Sequence, residues 1–325
     1  MKFICCLLFL LFSLCGNAQI LGCTDPLSKN FNPSATQNDG SCVYKKEKVK
    51  PIFSKVLENK IKETSGLIYW NDRFWTINDD TDTFVHSLDS LSGKILHSYN
   101  LKNTVNRDWE EISQDSAFLY VGNIGNNVNM NSQDLHLLRI DKESLLLEKP
   151  IIDTIYFSYE NQVDFSRMKS NKTNFDGEAF IVSNDSIFIF TKQWKAKKTS
   201  LYAIPKVPGK YIAKLKTTFD VNGLITGATY LEEQKIVVLC GYSKFQMPFV
   251  FLLYDFKGNE FFSGNKRKIK IKLPFRQIEG IAYKSQLEFY LTNEEFKQWP
   301  ILNHRAKIHK IDLSPFLKSF ADQQK

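Results

Sequence analysis

Three short acidic motifs hold the residues of this chain best suited to chemistry. They are Asp108-Trp-Glu-Glu-Ile112 with Asp108, Glu110 and Glu111, Asp176-Gly-Glu-Ala179 with Asp176 and Glu178, and Ile278-Glu-Gly-Ile281 with Glu279. Each opens a strand-like run, so in a closed arrangement of strands the acids could converge on one axis. Converging carboxylates repel one another unless protons or a cation intervene. Calcium, which takes six to eight oxygen ligands at about 2.3–2.6 Å, is the economical partner. Asn126, Asn293 and Glu294 could add oxygens if their loops fold over the axis. If a metal-activated water attacks a bound ester there, Glu110, Glu111, Glu178 or Glu279 would act as general base. The competing reading needs no metal: the same acids accept hydrogen bonds from backbone N–H groups at strand starts. Glu110 and Glu279 differ by one residue of register from Glu111 and Glu178, which argues against a symmetric cage.

Other chemistries find no support. The sequence has no G-x-S-x-G elbow, no G-x-x-x-x-G-K-[ST] loop and no H-E-x-x-H pair. The five histidines (86, 97, 136, 304, 309) lack zinc spacing, and Gly122-Asn-Ile-Gly125 is not a dinucleotide fingerprint. Lys+Arg exceed Asp+Glu by 43 to 35, a net charge of +8, but the basic residues are scattered rather than gathered as nucleic-acid binding requires. The run 266–272 alternates Lys or Arg with Ile and reads as an outer strand with one solvated face.

The elements that must position the acids are strands. Aromatic residues make up 14% of the chain, and short Val/Ile/Phe/Tyr-rich runs recur without any sustained helical stripe. Taken in fours, the runs open near Gly66, Glu111, Glu178, Gly227 and Gly280. Four strands per 40–50 residues is the period of propeller blades. The expected fold is all-β, a β-propeller of five four-stranded blades, with six possible, and a pair of β-sandwiches as the competing architecture. A polar insertion, 160–174, accounts for the long third interval. The last unit shows only three strands, and the isolated run 52–56 could supply its fourth and close the ring. Polar residues at strand ends, 78–80, 123–127, Lys192 and 293–295, are the positions where sites tend to be carried. Trp70, Trp194 and Trp299 could stack on a ligand.

Upstream, Met1-Lys2, the apolar run 3–15 and Gly16-Asn17-Ala18 read as a secretory signal cleaved after Ala18. The apolar run is too short for a transmembrane anchor. Cys23 and Cys42 flank a segment rich in Asn, Asp, Ser and Pro that cannot build a core. A disulfide between them would supply about 3 kcal/mol. Cys240 sits in an apolar run and reads as a buried, inert thiol. The expected organisation is a signal (1–18), a stapled module (19–44), a charged linker (45–51), the propeller (52–317) and a polar tail (318–325).

The stapled segment, from Gly22-Cys-Thr-Asp-Pro26 through Asn30-Phe-Asn-Pro33 to Asp39-Gly-Ser-Cys42, resembles a cysteine-bounded repeat of exported Bacteroidetes proteins. Asn38 stands where that repeat has its first Asp. The resemblance implies a secreted or surface protein and a weak calcium site on Asp25, Asn30 and Asp39. Turn formation is the plain alternative use of these residues.

A second resemblance rests on Glu63-Thr-Ser-Gly-Leu67, Trp75-Thr-Ile-Asn-Asp79, Asp108-Trp-Glu-Glu-Ile112, Tyr120 to Asn127, Phe175 to Ala179 and Gln277 to Ile281. These are similar to motifs of exported Bacteroidetes β-propellers and, more distantly, of esterase-like phytase and SdiA-regulated propellers. Asn123 replaces a usual Asp, and Asp80-Thr-Asp82 departs from the family after the Asn-Asp pair. The resemblance implies a calcium-compatible propeller over about residues 60–315. The functional expectation is a secreted, periplasmic or cell-surface monomer that binds a small anion, glycan or peptide, with a divalent cation in or near its channel. The alternative is a calcium-dependent hydrolase of phosphoesters, esters or lactones. Nucleic acid is not an expected partner.

Overall fold

The computed structural model describes residues 19–322 except 81, 128–131, 167–168, 244, 299 and 301. The signal segment 1–18 and Trp299 lie outside the described residues. Alternating apolar residues make most of the chain into strands, and the strands fold into five blades.

The stapled module contributes β1 (Leu21–Gly22) and β2 (Gln37–Asn38), a short parallel pair. Cys23 and Cys42 are disulfide-bonded, with their Cα atoms 4.8 Å apart. Two strands follow, β3 (Glu47–Val49) and β4 (Phe53–Val56). Blade 1 is β5 (Thr64–Trp70), β6 (Arg73–Asn78), β7 (Phe84–Asp89) and β8 (Ile95–Asn100). Blade 2 is β9 (Trp109–Gln114), β10 (Phe118–Asn123), β11 (His136–Asp141) and β12 (Ile152–Tyr159), with the one-turn helix α1 (Lys142–Leu146) before its last strand. Blade 3 is β13 (Asp176–Val182), β14 (Ser186–Lys192), β15 (Thr199–Pro205) and β16 (Gly209–Phe219). Blade 4 is β17 (Leu224–Leu231), β18 (Ile236–Ser243), β19 (Met247–Tyr254) and β20 (Asn265–Ile271). Blade 5 holds β21 (Ile278–Ser285) and β22 (Glu288–Asn293), then a hairpin of β23 (Phe296–Gln298) and β24 (Leu302–His304), then β25 (Lys307–Asp312). Helix α2 (Ser314–Ala321) follows.

Each blade is an antiparallel meander whose first strand is innermost, and β5, β9, β13, β17 and β21 pack side by side in a closed ring. The expected closure is present: β4 pairs antiparallel with β25, Lys307 opposite Val56, and completes blade 5. The outer strands β12 and β16 also pair in parallel and join blades 2 and 3 into one sheet. The apolar residues gather into five clusters among the described residues, one between each pair of neighbouring blades. Trp75 and Trp109 fill the contact of blades 1 and 2, and Phe188, Phe251 and Phe261 that of blades 3 and 4. The aromatic richness is blade-to-blade packing. Cys240 is buried in the contact of blades 4 and 5, and burial pushes its thiol well above the usual range.

Three boundaries differ from the sequence reading. Residues 45–51 are not a free linker, because β3 pairs in parallel with β20 as a fifth strand of blade 4. The tail is not simply polar: α2 buries Phe316, Leu317 and Phe320 on the core of blades 4 and 5. The run 266–272 keeps one partly solvated face, as expected of an outer strand, but it is not the edge of its blade. β3 covers it, and Arg267, 3% exposed, places Nη2 2.6 Å from Glu47 Oε2.

The stapled module is docked on blade 4 by its polar residues. Asn38 Nδ2 donates to Asp255 Oδ2 (2.8 Å) and Asn265 Oδ1 (3.0 Å), which an Asp could not do. Tyr44 and Tyr254 donate their hydroxyls to Asp25 Oδ2. Asn30 and Asp39 accept the backbone N–H groups of Val43 and Ser41. Both carboxylate oxygens of Asp25, the Asn30 Oδ1 and one oxygen of Asp39 thus serve turns and docking.

Candidate metal centre

The innermost strands share one irregularity. On β9 the pairing passes from Trp109↔Asn123 to Glu111↔Gly122 and skips Glu110. On β13 it skips Glu178, on β17 Thr226 and on β21 Glu279. On β5 the shift spans Gly66 and Leu67, and Gly66 has φ 65°, the left-handed region that glycine tolerates. A β-bulge adds one residue to a strand and re-aims its side chain. Four of the bulges therefore form one layer in the channel, Glu110, Glu178, Thr226 and Glu279, while the β5 bulge falls one residue further along, at Gly66 beside Glu111. The one-residue offset read from the sequence resolves here. Glu110, Glu178 and Glu279 are equivalent, and Glu111 is one step below.

Glu111 has a separate role. It is fully buried, and its Oε1 and Oε2 accept the N–H groups of Ile112 (3.1 Å) and, across the channel, Ala228 of blade 4 (2.8 Å). A Cβ on Gly66 would stand 2.7 Å from Glu111 Oε1, so glycine is needed beside it. Burial drives this carboxyl well up, and the N–H groups of Ala228, Ile112 and Leu67 draw it back. Glu111 thus takes the metal-free role, a brace between blades, and does not join the acids expected to share an ion.

Glu110, Asp176 and Glu178 each offer a carboxylate oxygen, and these lie within 4.8 Å of one another, all buried. Asp176 opens β13 and is fixed from two sides. Its Oδ1 accepts the Asn126 N–H and its Oδ2 the Trp194 indole N–H, both at 2.6 Å. Asp108, just before β9, is hydrogen-bonded to Glu110, and a side chain on Gly125 would strike both. Lys192 ends β14 with its Nζ 2.8 Å from Glu178 Oε1, a charge contact without an aligned hydrogen bond. The same ammonium lies 4.5 Å over the Trp194 ring. A second group, Glu63, Asp79 and Glu294, brings three oxygens equally close but is only half-buried. Gln277 donates to Glu294, and Asp79 Oδ1 has no hydrogen-bond partner.

The electrostatics follow from this crowding. Burial, and then the charges of Glu178, Asp108 and Asp176, hold Glu110 well above the usual carboxylate range. Burial raises Glu178 too, with Lys192 pulling the other way. Burial also pushes Glu279 up to about 7, Asp108 to about 6 and Asp79 to about 8, the last helped by Asp80 and Glu63. Burial would lower Lys192, but Glu178 and its neighbours outweigh it and hold the ammonium charged.

The donors are all oxygens, as a hard cation requires, and the one cation among them, Lys192 beside Glu178 Oε1, does not balance three carboxylates. The residues fit a hard divalent cation. The flanking amides do not add ligands. Asn293 Oδ1 accepts from His309 Nε2 (2.7 Å), and Asn126 Oδ1 accepts the Ser132 N–H. Asn123 accepts the N–H groups of Arg107 and Asp108 and donates to the Val105 carbonyl, a dual use open to Asn and not Asp. Trp194 lines the site, whereas Trp70 packs on Trp75 with ring centroids 4.9 Å apart. Sequence reading placed Lys192 only as a polar strand end. Its single signal was a Lys closing an apolar β-run, in the same position relative to its inner strand as Glu294 in blade 5.

Neither a protein-family model nor a curated protein sequence matches the chain. Solved structures do. The PQQ-bound aldose sugar dehydrogenase of Streptomyces coelicolor aligns with TM-score 0.50 at 10% identity, covering 81% of this chain and 97% of that one. A Thermus thermophilus oxidoreductase of glucose dehydrogenase type gives TM-score 0.48 at 7% identity, over 80% and 99% of the two chains. The WD40 repeats of RRP9 give 0.41 at 10% identity, over 81% and 100%. Likeness at such identity is one of fold, and the class it accompanies is the β-propeller.

Proposed function

We propose that this protein is an exported ligand-binding propeller whose channel mouth holds a divalent cation, calcium by the chemistry of its donors. The observation that carries the reading is the approach of Glu110, Asp176 and Glu178 oxygens to within 4.8 Å of one another while buried. Lys192 alone leaves the acids of this mouth in excess, and a divalent ion offsets that excess where water cannot. With the ion bound, the cation, Lys192 and the Trp194 ring would together present a surface suited to a small anion or an acidic sugar. The Cys23–Cys42 disulfide fits an oxidising compartment. No helix among the described residues is long and apolar enough to cross a membrane.

Calorimetric titration of the mature chain with calcium tests the reading. A heat of binding that Glu178→Gln abolishes is expected, and no heat at millimolar calcium would refute it. One observation favours a second reading, hydrolysis. Lys192 stands beside Glu178, a pairing that could hold a phosphoryl oxygen near a carboxylate base, while bound calcium would supply Lewis acidity. A panel of phosphoester, ester and lactone substrates, with and without calcium, separates the two. Turnover lost in Glu279→Gln would establish the hydrolase.

A further inference from the structure

The outer face of blade 4 carries charge that its own acids do not answer. β20 and β3 pair in parallel, with Ile269, Lys270 and Ile271 opposite Glu47, Lys48 and Val49. Strand alternation sends Arg267, Ile269, Ile271 and Val49 into the protein, where they are buried. The other face therefore receives Lys48, Lys266, Lys268 and Lys270. Lys48 and Lys270 are directly opposite each other, an arrangement of like charges that destabilises a strand pair. Among the described residues none of Lys45, Lys46, Lys48 and Lys270 has an ion-pair partner. Alternate residues on a strand stand about 6.8 Å apart and neighbouring strands about 4.8 Å, so the ammonium groups form two short rows.

Lys266, Lys268 and Lys270 line a groove of about 640 Å³ between the stapled module and blade 4, and Lys48, paired opposite Lys270, stands next to it. Lys45 and Lys46 stand on one wall, and Lys266, Lys268 and Lys270 on the other. Two of these ammonium groups are anchored: Lys266 Nζ donates to the Gly40, Phe262 and Gly264 carbonyls, and Lys268 Nζ to those of Val221 and Asn222. They are fixed charges rather than mobile ones. The groove is concave, so a flat lipid surface cannot enter it. Its aromatic rings are already covered by cations: the Arg267 guanidinium lies 4.7 Å over Tyr44 and Lys268 Nζ lies 3.7 Å over Phe249. Nucleic-acid bases need open aromatic faces to stack on. An extended chain of acidic sugars needs only spaced cations.

We propose that this groove binds an acidic polysaccharide along the paired strands β3 and β20, independently of the channel mouth. Polygalacturonate oligomers are the probe, titrated into the full mature chain in EDTA so that the metal site plays no part. Binding is expected at 50 mM salt, about tenfold or more weaker at 200 mM, because charge neutralisation releases counterions. Neutral dextran should not bind. The double variant Lys48→Glu with Lys270→Glu should weaken polygalacturonate binding at least tenfold and leave calcium affinity unchanged. Lys48→Gln with Lys270→Gln should weaken it less, with a melting temperature equal to or above that of the parent. Failure of polygalacturonate to bind at 50 mM salt, or binding unaltered by the charge reversal, would overturn the proposal. Equal or tighter binding of a single-stranded oligonucleotide of matched charge would do the same.

Discussion

Glu110 and Glu111 are adjacent on one strand, are both buried, and meet opposite fates. Glu111 is surrounded by backbone donors from three blades, so its negative charge is answered by the fold itself. Glu110, with Glu178 and Asp176, faces other acids across the bulge layer, and its charge is answered only by Lys192 and by protons. A buried carboxylate therefore says little until its donors are counted. Where backbone N–H groups converge on it, it is part of the frame. Where other carboxylates converge on it, it is available to a cation.

That contrast can be broken or sharpened experimentally. The largest effect should come from Lys192→Met, which removes the mouth's buried cation. In EDTA the protein should lose about 3 kcal/mol, and calcium should restore most of it, since breaking a buried ion pair strands a charge. Denaturant melts with and without calcium read the difference, and an equal loss in both would place Lys192 in the frame instead. Glu178→Gln should reduce calcium affinity by about a hundredfold or more while changing metal-free stability little. Glu111→Gln should do the reverse. Its amide would turn an N–H toward a backbone N–H, at a cost of about 2 kcal/mol, with calcium affinity intact. Calcium binding lost in Glu111→Gln would erase the distinction. The smallest effect is on pH dependence. Asp108, Glu279 and Asp79 lie at about 6, 7 and 8, above the ordinary carboxylate range. Folding thus retains protons that the unfolded chain gives up. Their stabilising contribution is full below pH 4 and is lost as pH rises through 6 to 8. The metal-free melting temperature should fall over that window. Calcium affinity should also rise with pH, as Glu110 and Glu178, both held above the usual carboxylate range, shed their protons.

Much of this molecule is legible in its sequence. Alternation and spacing suffice for five blades. The unpaired run 52–56 and the three-stranded last unit together imply the closing strand, and the Asn/Asp-rich loop between Cys23 and Cys42 implies the staple. What cannot be read are properties that arise between strands. Whether Glu110 or Glu111 points into the channel depends on a bulge, and a bulge exists only in the pairing of two strands. Lys192 reaches the mouth because β14 ends one residue past the start of that bulge, which no local pattern records. Glu47–Val49 carries too few apolar residues to read as a strand, and it becomes one because β20 offers an unpaired edge. Asn38 and Asn123 look like lost metal ligands until their donated hydrogen bonds are seen.

The pairing of β4 with β25 brings residues 53–56 against residues 307–310. The four strands of blades 1 to 4 are consecutive and can form as their own segment arrives, with β3 only adding a fifth to blade 4, but blade 5 takes its fourth strand from some 250 residues away in the chain. Until that strand docks, β25 is an open edge, the kind that recruits strands from other molecules. A chain interrupted before residue 307 should therefore be trapped as an open, self-associating ring, and the final step of folding should set how long the nascent protein needs protection from its own copies.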